Sequence, residues 1–235
     1  MRFLDWVKLP TRWIREGEVG LRRLRWTAGQ GADNVAALIA LIVIAHHADP
    51  QFGTARLTYD HLNKLTHLSR AKISGGLKVL TTMGLIKSRA TGHSPFELAD
   101  FDPRQGWAKL PCRRLYTSDG LVAFSAMTLR KPAELRALKL YLLFVAMRDN
   151  KDNLAHITYE RIEAYTGVPG LAIKRALNVL AVDGLVHIEH VPSAESQYGI
   201  ANAYRIAGID DRRHLGTTLR TAVSSPPTAE FEIPF

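Results

Sequence analysis

Cysteine is nearly absent from this sequence: Cys112 stands alone among 235 residues. A lone thiol forms no internal disulfide and no cysteine-based zinc site, which points to a reducing, intracellular setting. Long apolar runs are missing as well. The longest, from Val35 to Ala45, falls far short of the ~18 residues that a membrane span needs. The opening MRFLDWVKLP is interrupted by Asp5 and Lys8, so no signal peptide is expected. Cytoplasmic residence without a membrane partner is the expectation. There is no G-x-x-x-x-G-K-[ST] loop, which argues against a P-loop ATPase or helicase. Gly29-Gln30-Gly31 has no convincing strand before it and reads as the lead into a helix capped near Asp33 or Asn34.

Metal and nucleophile chemistry is also missing. His46 and His47 are adjacent on a helix and diverge. His187 and His190 are three apart, so in a strand they face opposite sides, and the spacing is wrong for a nicking site. Neither pair has cysteines or carboxylates at metal-ligand spacing. No nucleophile–base pair is recognisable. The expectation is therefore no enzyme, no catalytic residue, no metal and no cofactor.

Positive charge is what the sequence does have. Thirty-one Lys+Arg against 22 Asp+Glu give +9, with an isoelectric point near 9.8. A polyanionic partner fits this balance, either nucleic acid or an acidic membrane surface. Apolar residues at 46% and charged residues at 23% are ordinary for a globular chain.

The chain repeats itself. Residues 57–86, LTYDHLNKLTHLSRAKISGGLKVLTTMGLI, align without a gap on residues 157–186, ITYERIEAYTGVPGLAIKRALNVLAVDGLV. Upstream, Leu38, Ile42, Ala45 and Asp49 match Leu138, Leu142, Val145 and Asp149, and Trp6-Val7-Lys8-Leu9-Pro10 matches Trp107-Ala108-Lys109-Leu110-Pro111. A period near 100 means duplicated domains rather than a solenoid. The boundaries read as 1–101, 102–211 and a tail, 212–235.

Each copy has one order of elements. A long apolar helix is expected over 33–48 and 133–148, then a short helix capped by Thr58 or Thr158. After a tight turn, a third helix spans 70–82 and 170–182, burying Ile73, Leu77 and Leu80, or Ile173, Leu177 and Leu180. Gly84 and Gly184 follow, where a left-handed residue is wanted. Strands at 85–89 and 185–189 return at 96–98 and 203–206. The class is mostly α with small β-hairpins (α+β), in the order of two tandem winged helix–turn–helix domains. The long helices are apolar almost all round, which suits a core, the packing of one module on the other, or a homodimer.

The stretch LTxxxLxxLTxLSRxxISxxLKxLxxMGLI resembles the core of bacterial winged-helix DNA-binding domains. It is especially similar to those of plasmid and phage replication initiators, which often open with a KLP-like segment. Transcription regulators share the same core. The resemblance implies a third helix in the major groove of double-stranded DNA and a wing along the backbone. Facing outward would be Ser69, Arg70, Lys72, Ser74, Gly75 and Lys78, matched in the second copy by Pro169, Gly170, Ala172, Lys174, Arg175 and Asn178. Arg and Lys suit guanine edges, Asn suits adenine and Ser suits base or phosphate. The two sets differ at every position, so they would read different half-sites. Lys87, Arg89 and His93 would line the first wing, whereas Glu189 and Glu195 would repel phosphates from the second. Arg22, Arg23 and Arg25 form a cluster that either lies on phosphates or is a solvated linker. The first copy has 14 Lys+Arg against 8 Asp+Glu and the second 14 against 12, which favours the first for phosphate contact.

The tail carries an extended Ser224-Ser225-Pro226-Pro227-Thr228 linker and the sequence Ala229-Glu230-Phe231-Glu232-Ile233-Pro234-Phe235. This segment resembles the tip of bacterial single-stranded DNA-binding proteins. The resemblance implies a protein-binding element of Phe231, Glu232, Ile233, Pro234 and Phe235, whose partners are host replication proteins that bind such tails. It has two spaced Glu where that family has a denser acidic run. Folding back on the chain's own basic surface is an alternative use. Together these readings favour a replication initiator of a plasmid or mobile element. A transcriptional regulator, or an adaptor whose modules bind protein, are the alternatives.

Overall fold

The computed structural model describes residues 4–16, 19–88, 95–117, 120–192 and 199–209. The fold is mixed α+β, with seven helices and several small antiparallel sheets among the described residues. The first half runs β1 (Trp6–Pro10), α1 (Arg12–Arg15), a 3-10 turn (Leu21–Arg23), α2 (Gly31–His46), β2 (Thr54–Arg56), α3 (Tyr59–Thr66), α4 (Arg70–Thr82), β3 (Ile86–Ser88) and β4 (Pro95–Leu98). The second half repeats this order with β5 (Trp107–Pro111), a small ribbon β6 (Tyr116–Thr117) and β7 (Gly120–Leu121), α5 (Pro132–Met147), β8 (Leu154–His156), α6 (Tyr159–Thr166), α7 (Gly170–Val182), β9 (Val186–Pro192) and β10 (Ile200–Ile206). Among the described residues no helix is long and apolar enough to cross a membrane.

Local chemistry sets the helix ends. Thr58 Oγ1 accepts from His61 N at 3.1 Å, and Thr158 does the same from Arg161 N at 3.4 Å, each meeting an amide that the first turn leaves unpaired. Both short helices end on a left-handed residue, Gly167 at φ 64° and His67 at φ 57°. Glycine reaches that region freely, whereas a histidine there is strained. Gly84 and Gly184 take left-handed angles just past α4 and α7. The long helices start one or two residues earlier than the sequence indicated. Asn34 does not cap α2: its amide reaches back to Arg25 O at 2.7 Å, and the helix begins at Gly31 behind Gln30.

Each half closes with a three-stranded antiparallel sheet, ordered β2-β4-β3 and β8-β10-β9. The outer strands β2 and β8 were not anticipated. At three residues each they are too short to show an alternating pattern.

The halves are held together by a reciprocal exchange. The KLP segments form β1 and β5 and pair antiparallel, with Lys8 opposite Lys109. Trp6 and Trp107 stack at 5.7 Å between centroids and 14° between planes. Lys8 Nζ lies 5.2 Å from the Trp107 ring and Lys109 Nζ 5.0 Å from the Trp6 ring, so the repeat is arranged about an approximate two-fold axis. The segment after β1 then crosses to the other half. Arg15 Nη2 donates to Ala146 O at 2.6 Å, Arg22 Nη1 to Ala164 O at 3.1 Å, and Lys139 Nζ meets Leu24 O at 2.9 Å. The segment after β5 crosses back: the Tyr116 ring meets His46 edge-on at 4.6 Å, and β7 abuts α3. Helices α2 and α5 also pack on each other, and Val35 to Ala45 is buried throughout. The apolar surplus of the long helices is thus used inside one chain.

Candidate nucleic-acid interface

Helix α4 buries Ile73, Gly76, Leu77 and Leu80 against α2. That burial turns Arg70, Ser74 and Lys78 to solvent, as the helical period dictates. Helix α7 buries Ile173, Ala176, Leu177 and Leu180, and turns Lys174, Arg175 and Asn178 outward. The expected side chains therefore sit on one exposed face of each helix, at equivalent places in the repeat.

Neighbouring groups engage several of them. The Ser69 hydroxyl accepts from Lys72 N at 3.4 Å and caps α4. Arg70 is exposed and pairs with Asp60 of α3. Two of the six positions in the first half are turned away from open solvent. Lys72 is half-buried with Nζ 2.9 Å from Asp33 of α2, and a side chain on Gly75 would strike the Asp33 carboxylate. The repeat equivalents of Asp33 and Lys72 are Ala133 and Ala172, so this ion pair is absent as a unit from the second half. In that half Gly170 and Ala172 are likewise half-buried.

On the hairpins, Lys87 is exposed, 3.8 Å from Glu97 across the β3–β4 pair. Glu189 pairs with Arg205 on the adjacent strand, both largely buried. Its charge is thus neutralised, and the repulsion of phosphate expected from Glu189 is weakened. Arg89, His93, Glu195 and the tail residues Phe231, Glu232, Ile233, Pro234 and Phe235 lie outside the described residues.

The arginine cluster is neither a free linker nor part of the α4 face. Buried Leu21 and Leu24 anchor it on the second half, and Arg22, Arg23 and Arg25 are all exposed. Arg22 and Arg25 line a cavity of about 310 Å³ together with Trp26, Leu135, Arg136, Lys139 and the Gly167–Pro169 turn. The sequence reading did not single out Arg136, Lys139 or Trp26. Two cations three residues apart in the otherwise apolar helix LRALKLYLLF were the available signal. Burial, with Arg136, Arg22 and Arg25 close by, lowers the Lys139 ammonium to about 7. Leu171, fully exposed on α7, was also missed and is the type of side chain that meets a thymine methyl.

Among the described residues, no three His, Cys, Asp or Glu side chains are grouped to hold a metal ion. Cys112 is buried and its thiol is pushed up to about 12, chiefly by burial and then by Asp5. No protein-family model matches this chain, and no curated protein or solved structure matches it.

Proposed function

We propose that this chain is a non-enzymatic, sequence-specific binder of double-stranded DNA that acts as a replication initiator of a plasmid or mobile element. In this reading residues 1–101 and 102–211 are two winged-helix units. Helices α4 and α7 enter successive major grooves, with Arg70, Ser74 and Lys78 reading one half-site and Lys174, Arg175 and Asn178 the other. Ser69, Lys72 and Lys87 serve at the margins of the first face, where caps and ion pairs already hold them. The single observation that carries the reading is the placement of these exposed cationic faces at equivalent positions of a duplicated unit. A net charge of +9 supports it.

The segment Phe231 to Phe235 supplies the second activity, recruitment of a host replication protein. The test is deletion of residues 229–235 in a cell carrying the cognate replicon. Loss of replication with duplex binding intact is the expected result. Retained replication shifts the assignment to a transcriptional regulator, which the faces of α4 and α7 serve equally well, since both readings rest on duplex contact.

A further inference from the structure

We infer that the cavity between the first-half crossing segment and α5 is a binding site for a phosphate ester, held by Arg22, Arg25, Arg136 and Lys139 beside the Trp26 ring. The inference does not rest on duplex binding by α4 and α7, because none of those side chains lines the cavity.

Four cationic side chains converge on one concavity whose lining includes no carboxylate. Like charges gathered in this way repel, and a bound anion relieves that repulsion. Lys139 is only 4% exposed, and among the described residues its Nζ donates to Leu24 O at 2.9 Å, while an ammonium carries three protons to offer. The fold does not force this arrangement. The repeat equivalents of Arg136 and Lys139 are Ala36 and Ile39, both buried in α2, so the same helix position in the first half is apolar. The second half carries two added cations at a place where the architecture is satisfied by aliphatic side chains.

The remaining walls define the ligand. Leu24, Trp26, Pro132, Leu135 and Val168 give an apolar surface beside the charges. About 310 Å³ lies at the lower end of the range for small-molecule sites. An aromatic ring next to a cationic cluster suits a base attached to a phosphate. Glu163 of α6 does not line the cavity and accepts from Gly170 N at 3.1 Å. Two sources carry this chemistry, a free nucleotide-like phosphate or the backbone of a polynucleotide.

Protonation is coupled to occupancy. The charged groups facing Lys139 are Arg136 on its own helix and Arg22 and Arg25 from the crossing segment, while the Gly167–Pro169 turn contributes none. An anion raises the pKa of Lys139 from about 7, so affinity is level below pH 7 and falls above it, by up to tenfold per pH unit. Sulfate, whose charge is constant over this range, is the probe for that profile.

The experiment is calorimetric titration of the full chain with sulfate, dTMP and a single-stranded oligonucleotide, on the parent and on Arg136→Gln and Lys139→Met. Saturable binding of sulfate and dTMP, weakened at least tenfold by either substitution, is the expected result and identifies a small-phosphate site. Binding of the oligonucleotide alone, with the same sensitivity, assigns the site to a polynucleotide backbone. Circular dichroism and thermal unfolding like those of the parent show that the two variants fold. Binding that ignores both substitutions, or no binding of any probe at millimolar concentration, overturns the inference. Lys78→Ala and Lys174→Ala leave the sulfate and dTMP titrations unchanged, so failure here and failure of the duplex reading are separable.

Discussion

His46 shows how burial turns one side chain into a source of pH dependence. Its ring is half-buried at the end of α2 with Nδ1 out of reach of solvent, Nε2 lies 2.9 Å from Pro111 O, and Tyr116 meets it edge-on. A carbonyl only accepts, so Nε2 carries the proton of a neutral ring. Burial, with a smaller contribution from His47, lowers its pKa to about 3 from 6.5, against the carbonyl, which raises it. As pH falls below 6.5 the unfolded chain takes up this proton and the folded chain does not. The stabilisation is complete above pH 6.5 and is lost progressively toward pH 3. At pH 4 the loss from this group is on the order of 3 kcal/mol. His46→Gln keeps a donor for Pro111 O and cannot titrate. Urea unfolding at pH 7 and pH 4 is expected to show a smaller acid loss for His46→Gln than for the parent. Equal losses in the two chains would remove His46 as the cause.

Helix–helix packing differs between the halves at Gly76. A Cβ on Gly76 would lie 2.8 Å from the backbone of Ala36 and Ala37, so α4 sits directly on the main chain of α2. The equivalent position in α7 is Ala176, which is fully buried without needing that closeness. Gly76→Ala is expected to destabilise by about 1–2 kcal/mol, because the clash outweighs a helix-propensity gain of about 1 kcal/mol. Ala176→Gly costs about 1 kcal/mol through helix propensity alone. Thermal unfolding of the two variants checks this, and a stabilised Gly76→Ala would contradict the packing described. Helices α4 and α7 were readable to the residue from the sequence because their apolar period and flanking glycines are local signals. Strands β1 and β5 were not: five residues with two apolar neighbours and a proline become strands only by pairing with each other across 100 residues. The same limit applies to the site. A helical wheel places Lys72 and Gly75 outward, but it cannot see Asp33 on a neighbouring helix. The cavity was illegible because Arg22 and Lys139 meet only through the crossing of the halves.

At the scale of the whole molecule, the duplication explains both the shape of the core and the layout of charge. Two like units exchange their crossing segments about the Lys8–Lys109 pair, and α2 and α5 cover one another. This leaves α4 and α7 with their outer faces uncovered in each half, one bearing Arg70 and Lys78 and the other Lys174 and Arg175. In the function proposed above, these two faces bind duplex DNA. The salt dependence of binding to a fluorescent 30-base-pair duplex, for the parent and for the combined variant Arg70→Ala, Lys78→Ala, Lys174→Ala and Arg175→Ala, decides whether they do. For the parent, a steep fall of log K with log salt is expected. For the variant, affinity is expected to fall, and the slope to flatten by about one unit for each phosphate contact removed. Duplex affinity and salt slope that are the same in both chains would show that these faces do not bind DNA.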